Sequence, residues 1–400
     1  MKDHRPRAGF PCYVLGVLAL LAVTLAGCQS APPAASKAAA PAAAPTVGPA
    51  ATGAQPAAAG GGASSPEWDR LLAEAKREGS VRISVPAGVP GLGEAFAKAF
   101  EEQYGIKVDS TSELSTTARV RIEQEAGAGR QTTDVLFGGA SELITIYPAG
   151  LLAPIAPKLL LPEVTDSTKW LNNHLEWVDD AQQYMLAGSE WVHIDLMVNA
   201  SVIDPKTITS WRDLLKPEYR GKIIIQDPHV GAGGATARSL LEAFGPDYIK
   251  ALYQDQQPVV TRDAREVVQG MARGTQPIGL AILPAQAEEF RKQGFRLERV
   301  FPDDGAPAVS AGNSVVKLIK DAPHPSAAAV FINWYASQQG QEIYSQLSLE
   351  PSRRLDVNVP EVPDYIKPKP GVQYRNQYQE DYYTNIAPGL LKQIEDLLVR

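Results

Sequence analysis

The chain has 400 residues, 44% of them hydrophobic, and a formal net charge of −7. This share of hydrophobic residues is enough to form a core in a body of several hundred residues, and the acidic balance argues against nucleic-acid binding. The acidic charge by itself favours solubility and does not indicate a particular ligand.

The N-terminus predicts export. Lys2, Arg5 and Arg7 precede an apolar run at 13–26 that is too short to span a bilayer, which is the pattern of a secretory signal. The run ends in the letters LAGC at 25–28, which resemble the lipobox of bacterial lipoproteins. We therefore expect a lipoprotein signal peptide over 1–27 and lipidation of Cys28; an ordinary signal peptide with an incidental cysteine is the alternative.

The 2 cysteines of the chain, Cys12 and Cys28, bear on its chemistry. Cys12 would leave with the signal peptide and Cys28 would be acylated, so no thiol remains for a disulfide, a metal or a nucleophile. Residues 28–64 are rich in Ala, Pro and Gly and cannot bury enough side chain to offset the entropy of ordering. We expect this stretch to tether a monomeric folded body to the membrane.

From residue 66 onward, helix and strand signals alternate. In chain order the predicted elements are a helix at 68–78, a strand at 81–85, a helix at 93–104, a strand at 106–109, a helix at 116–126 and a strand at 134–137. The same order recurs with a short helix at 211–215, a strand at 222–225, helices at 235–244 and 267–272, a strand at 278–283 and a helix at 327–337. This alternation predicts mainly parallel sheets flanked by helices, with ligands at the carboxyl ends of the strands. The body is large for one sheet, so we expect two lobes.

The glycine-rich stretch QDPHVGAGGATA at 226–237 lies between a predicted strand and a predicted helix. A dinucleotide-binding turn would have Gly or Ala where this chain has Thr236, and no P-loop Lys-Ser/Thr follows, so we expect no nucleotide cofactor. Two interpretations stay open. The glycines let the backbone approach a ligand, or they form a tight connection that binds nothing.

Several segments together resemble a known family. They are FEEQYGIKV at 100–108, TTDVLFGGA at 132–140, AGLLAPI at 149–155, TSWRDLLKPEYRGKIII at 209–225, VVQGMARGTQPIGLAI at 267–282 and HPSAAAVFINWYASQQGQEIY at 324–344. Their succession resembles the solute-binding proteins of ABC importers, in the branch with ferric-ion, thiamine and phosphonate binders. The resemblance implies an α/β, two-lobe, type II periplasmic-binding-protein-like fold with a ligand cleft between the lobes. It places lobe 1 at 65–192 and 308–346, lobe 2 at 193–307, and a C-terminal segment at 347–400 packing on lobe 2.

Turns from both lobes would then line the cleft. The candidate ligand-binding residues are Gly88, Ser115, Thr116, Gly139, Ala140, Ser141, Trp191, His193, His229, Gly231, Gly233, Gly234, Thr236 and Pro284. For Trp191 a place in the core is the alternative. These donors favour a small anionic compound or a metal–carboxylate complex, whereas thiamine or a polyamine would use Trp191, Glu113 and Glu142.

Ferric-ion binders of the family place adjacent tyrosines just after the strand at 278–283, because phenolate oxygens suit a hard cation. This chain has LPAQ at 283–286, and its Tyr382-Tyr383 pair is predicted to pack on a helix surface. We therefore expect no metal held directly by such a pair, although a ferric-iron binder of the same fold is an alternative.

No nucleophile elbow or HExxH spacing occurs in the sequence. The resemblance implies an extracytoplasmic binding protein, not an enzyme, that delivers its solute to an ABC importer permease. A secreted, membrane-anchored hydrolase is the alternative from another class.

Overall fold

The structure is a computed structural model that describes residues 65–398 except 303, 306 and 370, with only the backbone described at 194 and 195. The predicted signal peptide, Cys28 and tether lie outside the described residues.

Strands and helices alternate through most of the described chain. The strands are β1 Ser80–Pro86, β2 Lys107–Glu113, β3 Val135–Gly138, β4 Leu152–Ala153, β5 Glu176–Trp177, β6 Met185–Ala187, β7 Trp191–Val192, β8 Ile194–Asn199, β9 Ile223–Gln226, β10 Val259–Thr261, β11 Ile278–Ile282, β12 Leu297–Arg299, β13 Ala308–Ser310, β14 Val315–Ile319 and β15 Arg375–Asn376. The α-helices are α1 Pro66–Glu78, α2 Leu92–Tyr104, α3 Ser115–Gly127, α4 Pro162–Thr165, α5 Gly231–Phe244, α6 Pro246–Lys250, α7 Ala264–Arg273, α8 Pro284–Lys292, α9 Pro325–Ala336, α10 Gln338–Ser348 and α11 Ala387–Leu398. The predicted helix at 211–215 is a 3-10 helix, Trp211–Leu215.

Local sequence explains where these elements begin and end. The hydroxyl of Ser65 accepts a hydrogen bond from the Trp68 amide at 3.1 Å, so it caps α1, and Pro66 fits the first helical position. Gly79, with φ of +76°, ends the helix in the left-handed conformation that glycine adopts without strain. β1 follows at once.

The first sheet has seven strands in the order β2-β1-β3-β14-β6-β5, with β4 also paired to β14. β1 is parallel to β2 and β3, and β14 is antiparallel to β3. The second sheet repeats this arrangement with five strands in the order β10-β9-β11-β8-β12, where β9 is parallel to β10 and β11 and β8 is antiparallel to β11. The antiparallel strands β14 and β8 are the ones that the chain forms directly after it passes from one large sheet to the other.

The crossings meet in a third, small sheet. β7 leads towards the second sheet and β13 leads back, and the two pair antiparallel, with Val192 opposite Val309. β15, from the end of the chain, adds to β13 in parallel. We call this the crossover sheet.

Each large sheet has its own hydrophobic core. On the first, aromatic rings of α2 and α9 meet mostly edge to face, for example Phe96 and Trp334 at 5.3 Å between ring centroids. On the second, Leu240 of α5 and Ile278 of β11 share a cluster with Ile394 of α11. The last helix of the chain is therefore part of the second core.

Candidate functional site

The turns at the carboxyl ends of β1 and β11 face each other between the two large sheets. A Cβ placed on Gly88, in the turn after β1, would lie 3.4 Å from Cδ1 of Leu283, in the turn after β11. Pro284 is the next residue and is the buried first residue of α8. Gly88 and Pro284, two of the predicted site residues, are thus brought together.

The turn after β3 and the start of α3 form the adjoining wall. A Cβ on Gly138 would lie 3.4 Å from Glu142 Oε1 and 3.5 Å from both Lys317 Nζ and Ser115 Oγ, so these three side chains surround one point. Ser115 is half-buried at the start of α3. Its neighbour Thr116 is exposed.

The predicted residues Gly139, Ala140 and Ser141 belong to the same wall. Ala140 is buried, and Ser141 begins a 3-10 helix, Ser141–Ile144. The Gly139 carbonyl accepts a hydrogen bond from Lys317 Nζ at 2.9 Å. Lys317 therefore fixes the position of this turn.

Lys317 and Glu142 form a buried ion pair. Lys317 is fully buried on β14, and its Nζ lies 3.2 Å from Glu142 Oε2. Burial lowers the pKa of Lys317, against the opposing effect of the Glu142 charge. The pair compensates the negative charge of Glu142 inside the wall.

The other acid near this wall is also paired. Glu113, the last residue of β2, accepts from Arg121 Nη2 at 2.6 Å and from Ser84 Oγ at 2.8 Å. Both carboxylates that the cationic-ligand alternative requires are therefore already engaged within the first sheet.

The predicted glycine turn is helical over most of its length, because α5 begins at Gly231. The Gly233 amide donates to Gln226 Oε1 at 3.0 Å, and the Gly234 amide donates to the Val230 carbonyl at 3.0 Å. The amides of Gly231 and Ala232 have no acceptor among the residues that the structure describes. These two amides are the ones left for a ligand.

Gly233 and Gly234 have packing roles. A Cβ on Gly233 would lie 2.5 Å from the Gln226 carbonyl oxygen and closer still to that of Asp227. A Cβ on Gly234 would lie 2.9 Å from the Pro228 carbonyl oxygen and 3.2 Å from Arg238 Nη1. Glycine at both positions lets the first turn of α5 pack on the chain that leaves β9. The predicted Thr236 follows in α5 and is buried.

Arg238, midway along α5, is buried, with 6% of its surface exposed. Its Nε donates to the Tyr382 hydroxyl at 3.2 Å, and its guanidinium carbon lies 5.7 and 5.8 Å from the ring centroids of Tyr382 and Tyr383. Tyr383 in turn packs against the hydrophobic cluster that contains Ala140 and Leu143. Arg238 therefore lies where the second sheet, the first sheet and the C-terminal chain meet.

The predicted residues near the crossover sheet have different surroundings. Trp191 is buried in a cluster with Met197, Ile282 and Ile366, and its ring stacks on that of His193 at 5.2 Å, which favours the core interpretation. His193 is buried, and its amide donates to the Ala308 carbonyl at 3.0 Å.

His229 is exposed instead, and its Nδ1 lies 2.7 Å from Asp227 Oδ1. Among the described residues, no hydrogen bond, ion pair or ring contact joins it to another predicted site residue.

A buried acid underlies the crossover sheet. Glu350 Oε2 accepts from Ser189 Oγ and from the Tyr344 hydroxyl, both at 2.8 Å. Ser189 lies just before β7. Gly312 follows β13 and packs against the same carboxylate, so closely that a Cβ at this position would overlap it. Burial raises the pKa of Glu350 to about 7.

The described part of the C-terminal segment, residues 347–398 except 370, contacts both large sheets. The Tyr378 hydroxyl donates to Glu190 and, at 3.3 Å, to Glu176 of β5. Gln377 Nε2 donates to Ser239 Oγ of α5 at 2.7 Å, and α11 packs against α5 and α6. The described part of this segment therefore contacts both large sheets, and its assignment to lobe 2 stays a prediction.

Sequence reasoning missed Lys317, Arg238 and Glu350. A lone Lys inside the apolar strand VVKLI was the available signal for Lys317, because an unpaired Lys is rarely buried. Arg238 gave no local signal, since its partner Tyr382 lies 144 residues away. Glu350 combines a nearby partner, Tyr344, with a distant one, Ser189, and the distant one gave no signal in the sequence.

Two negative observations apply to the described part of the chain. No group of three or more His, Cys, Asp or Glu side chains there is arranged to hold a metal ion. None of its helices combines the length and the apolar character needed to traverse a bilayer.

Two sheets of matching topology, joined by paired crossing strands and with turns that meet between them, define a protein of the periplasmic-binding-protein-like class. The chain belongs to the family described as bacterial extracellular solute-binding protein, whose sequence model matches residues 95–364. This confirms the resemblance noted from the sequence and the predicted class of fold. The two large sheets are mixed and not mainly parallel as predicted, because β14 and β8 pair antiparallel with their neighbours. The chain is a solute-binding protein of the ABC-importer type, in a family of binding proteins.

Two curated relatives show the extent of the similarity in sequence. An uncharacterized protein of Haemophilus influenzae is 26% identical over 264 residues, covering 63% of this chain and 71% of the relative. The spermidine/putrescine-binding periplasmic protein of Salmonella typhimurium is 51% identical, but over only 37 residues, 9% of this chain and 11% of the relative. A match this short concerns one segment and not the whole protein.

Solved structures show the fold. Iron-bound HitA from Pseudomonas aeruginosa has a TM-score of 0.63 at 19% identity, covering 80% of this chain and 99% of that one. AfuA from Actinobacillus pleuropneumoniae, with exogenous fructose-6-phosphate bound, has 0.60 at 20% identity, covering 79% and 99%. An ABC-transporter substrate-binding protein from Agrobacterium tumefaciens has 0.64 at 17%, covering 80% and 95%. At these identities the likeness extends to the fold alone.

Proposed function

We propose that this protein captures a small anionic solute, or a metal–carboxylate complex, between its two large sheets and delivers it to an ABC importer permease. The observation that carries the ligand class is an imbalance of charge. The acids of the first wall are paired with cations, whereas Arg238 has no carboxylate partner among the described residues.

The cationic alternative finds little support in these contacts. A polyamine or thiamine would need Glu113, Glu142 and Trp191, but Glu113 is bound to Arg121 and Glu142 to Lys317. Trp191 is enclosed in a hydrophobic cluster. A cation entering here would lose its hydration without gaining a free carboxylate.

An anion finds donors on both sides. The open amides of Gly231 and Ala232 lie at the N-terminus of α5, where the helix dipole favours negative charge. Ser115 supplies a hydroxyl at the N-terminus of α3. Glycines alone did not decide between ligand binding and a tight connection, but these donors favour binding.

Direct ferric-iron binding by Tyr382 and Tyr383 is a weaker alternative. Burial raises the pKa of both phenols, against the lowering effect of Arg238, so the phenolate form is disfavoured. The Arg238 guanidinium over both rings also repels a metal cation. Iron would therefore enter only as a complex whose carboxylates carry the negative charge.

Closure would follow the lobe boundaries expected from the sequence. We assign 65–192 and 308–346 to lobe 1 and 193–307 to lobe 2, with the crossover sheet as the hinge. The solute then shifts an open–closed equilibrium by its preference for the closed state. Gly88 and Leu283 would separate on opening.

The ligand class is tested by thermal shift across a panel of anions and cations, because a bound solute raises stability by mass action. Native mass spectrometry of protein from its own envelope would identify the co-purified solute. A co-purified organic cation would overturn the anion proposal. Turnover of a panel compound that is lost when one cleft residue is mutated would favour the hydrolase alternative.

Anchoring is a separate part of the proposal. Cys28, outside the described residues, would carry the acyl chains that hold the protein at the membrane, since stable anchoring needs more than one chain. Cys28→Ala should move the protein from the membrane fraction to the soluble fraction. Retention of the variant in the membrane would contradict the lipobox interpretation.

A further inference from the structure

We infer that Arg238 is the side chain that binds the anionic group of the solute, and that Tyr382 and Tyr383 of the C-terminal segment position it. This inference rests on the proposed function and deepens it. It assigns the recognised group to an oxyanion, such as a carboxylate or a phosphate.

The Arg238 side chain turns back along α5 towards the open end of the helix. Its Nη1 lies so close to Gly234 that a Cβ there would be 3.2 Å away. The guanidinium is therefore beside the first turn, near the open amides of Gly231 and Ala232. A glycine at 234 leaves room for the guanidinium.

The polar contacts of Arg238 among the described residues are with the two tyrosine side chains and not with an acid. Nε donates to the Tyr382 hydroxyl at 3.2 Å, which holds the plane of the guanidinium. Neither Nη atom has a carboxylate partner among the described residues. The residue is nevertheless buried, with only 6% of its surface exposed to solvent. A buried arginine without a counter-ion is costly, so the position favours a ligand that supplies the charge.

The ring of Tyr383 also lies beside the guanidinium. Its ring centroid lies 5.8 Å from the guanidinium carbon, and the ring packs on the cluster of Ala140 and Leu143 in the first sheet. The tyrosine thus places Arg238 against the wall that contains the Gly139–Ser141 turn.

The chemistry of the group matches an oxyanion. A guanidinium presents paired N–H donors in a fixed plane that fits two oxygens of a carboxylate or a phosphate. The two tyrosines lie after residue 364, where the family match ends. This part of the site therefore belongs to the C-terminal segment of this chain and not to the matched region.

The test is isothermal titration calorimetry of the full mature chain with inorganic phosphate, citrate and spermidine as probes. Wild type should bind at least one of the two oxyanions, and Arg238→Gln should weaken that binding by roughly 10- to 100-fold, because hydrogen bonds to a charged group are lost. Arg212→Gln is the matched control. Arg212 also lies over an aromatic ring, Phe244, at 5.6 Å, but it is exposed, and its change should leave affinity unaltered.

A double-mutant cycle tests the positioning role of Tyr382. Tyr382→Phe should weaken oxyanion binding several-fold in wild type and have no further effect in the Arg238→Gln background. A purely structural role would give the same loss in both backgrounds, and would overturn the positioning role. Arg238→Lys, which keeps the charge but loses the planar fork, should also bind more weakly and serves if Arg238→Gln fails to fold.

The outcomes separate the inference from the proposed function. Equal oxyanion binding by wild type, Arg238→Gln and Arg238→Lys would overturn the role of Arg238 and leave the anion-binding function intact. Binding of spermidine alone, or of none of the probes, would overturn both.

Discussion

Removing one partner of the Lys317–Glu142 pair should destabilise the protein strongly. Lys317 Nζ contacts Glu142 Oε2 at 3.2 Å, the Gly139 carbonyl at 2.9 Å and the Val315 carbonyl at 3.3 Å, and the side chain is fully buried. Lys317→Met leaves a buried carboxylate without its cation. Breaking such a pair costs about 3–5 kcal/mol in the free energy of unfolding, measured by urea denaturation.

The loss of stability comes from the uncompensated charge of Glu142, so a double variant that also removes this charge should recover most of it. Lys317→Met with Glu142→Leu replaces the pair by apolar groups, an exchange that is often neutral. Its remaining cost is the lost donor to the Gly139 carbonyl, about 1 kcal/mol. Lys320→Met, at an exposed lysine just after β14, is the matched control and should change stability by less than about 0.5 kcal/mol. Additive losses in the double variant would refute the argument from charge.

Three further predictions concern the packing, the pH dependence and the C-terminal contacts. Gly233→Ala should cost about 1–3 kcal/mol in the free energy of unfolding by urea denaturation, since its Cβ meets backbone oxygens, whereas Gly127→Ala, with nothing within 4 Å of its Cβ, should not destabilise. The pKa of Glu350 is raised from 4.5 to about 7 in the folded state, so the folded protein holds a proton that the unfolded chain releases between these values, and stability falls as pH rises through this window. Glu350→Gln should remove that slope from plots of Tm against pH; parallel plots for the two proteins would contradict it. Tyr378→Phe should speed amide hydrogen exchange at 176–190, where the Tyr378 hydroxyl binds Glu176 and Glu190, and not in α11, which is held by the second hydrophobic core. Equal acceleration in both regions would contradict this assignment of contacts.

The alternating core of the fold was predictable because each unit is local. β1, β3, β9 and β11 are apolar runs followed by small-residue turns, and these cues need no distant partner. The short strands β4, β7 and β15 escaped prediction, since two-residue pairings depend on tertiary contacts and not on propensity. The crossover sheet, which determines how the two large sheets are joined, was therefore missed.

The candidate site was predictable only in part, for a similar reason. A glycine cluster shows that something approaches the backbone, but not whether it is a ligand or another stretch of chain. At Gly233 the neighbour is the end of β9, at Gly234 it is the Pro228 carbonyl and the guanidinium of Arg238. The side chains that decide the charge of the cleft, Lys317 and Arg238, find their partners across long separations in sequence.

The C-terminal segment explains why closure in this protein involves more than the two crossing strands. It is joined to the first sheet through the Tyr378 hydroxyl, which donates to Glu190 and Glu176, and to the second through Ile394 in the hydrophobic core. Burying apolar side chains stabilises far more than a few hydrogen bonds do, because each bond replaces one to water. We therefore expect the segment to stay with the second sheet on opening and to release Tyr378 and Tyr383 from the first. The first sheet would then cover Arg238 only in the closed state, when the solute is bound.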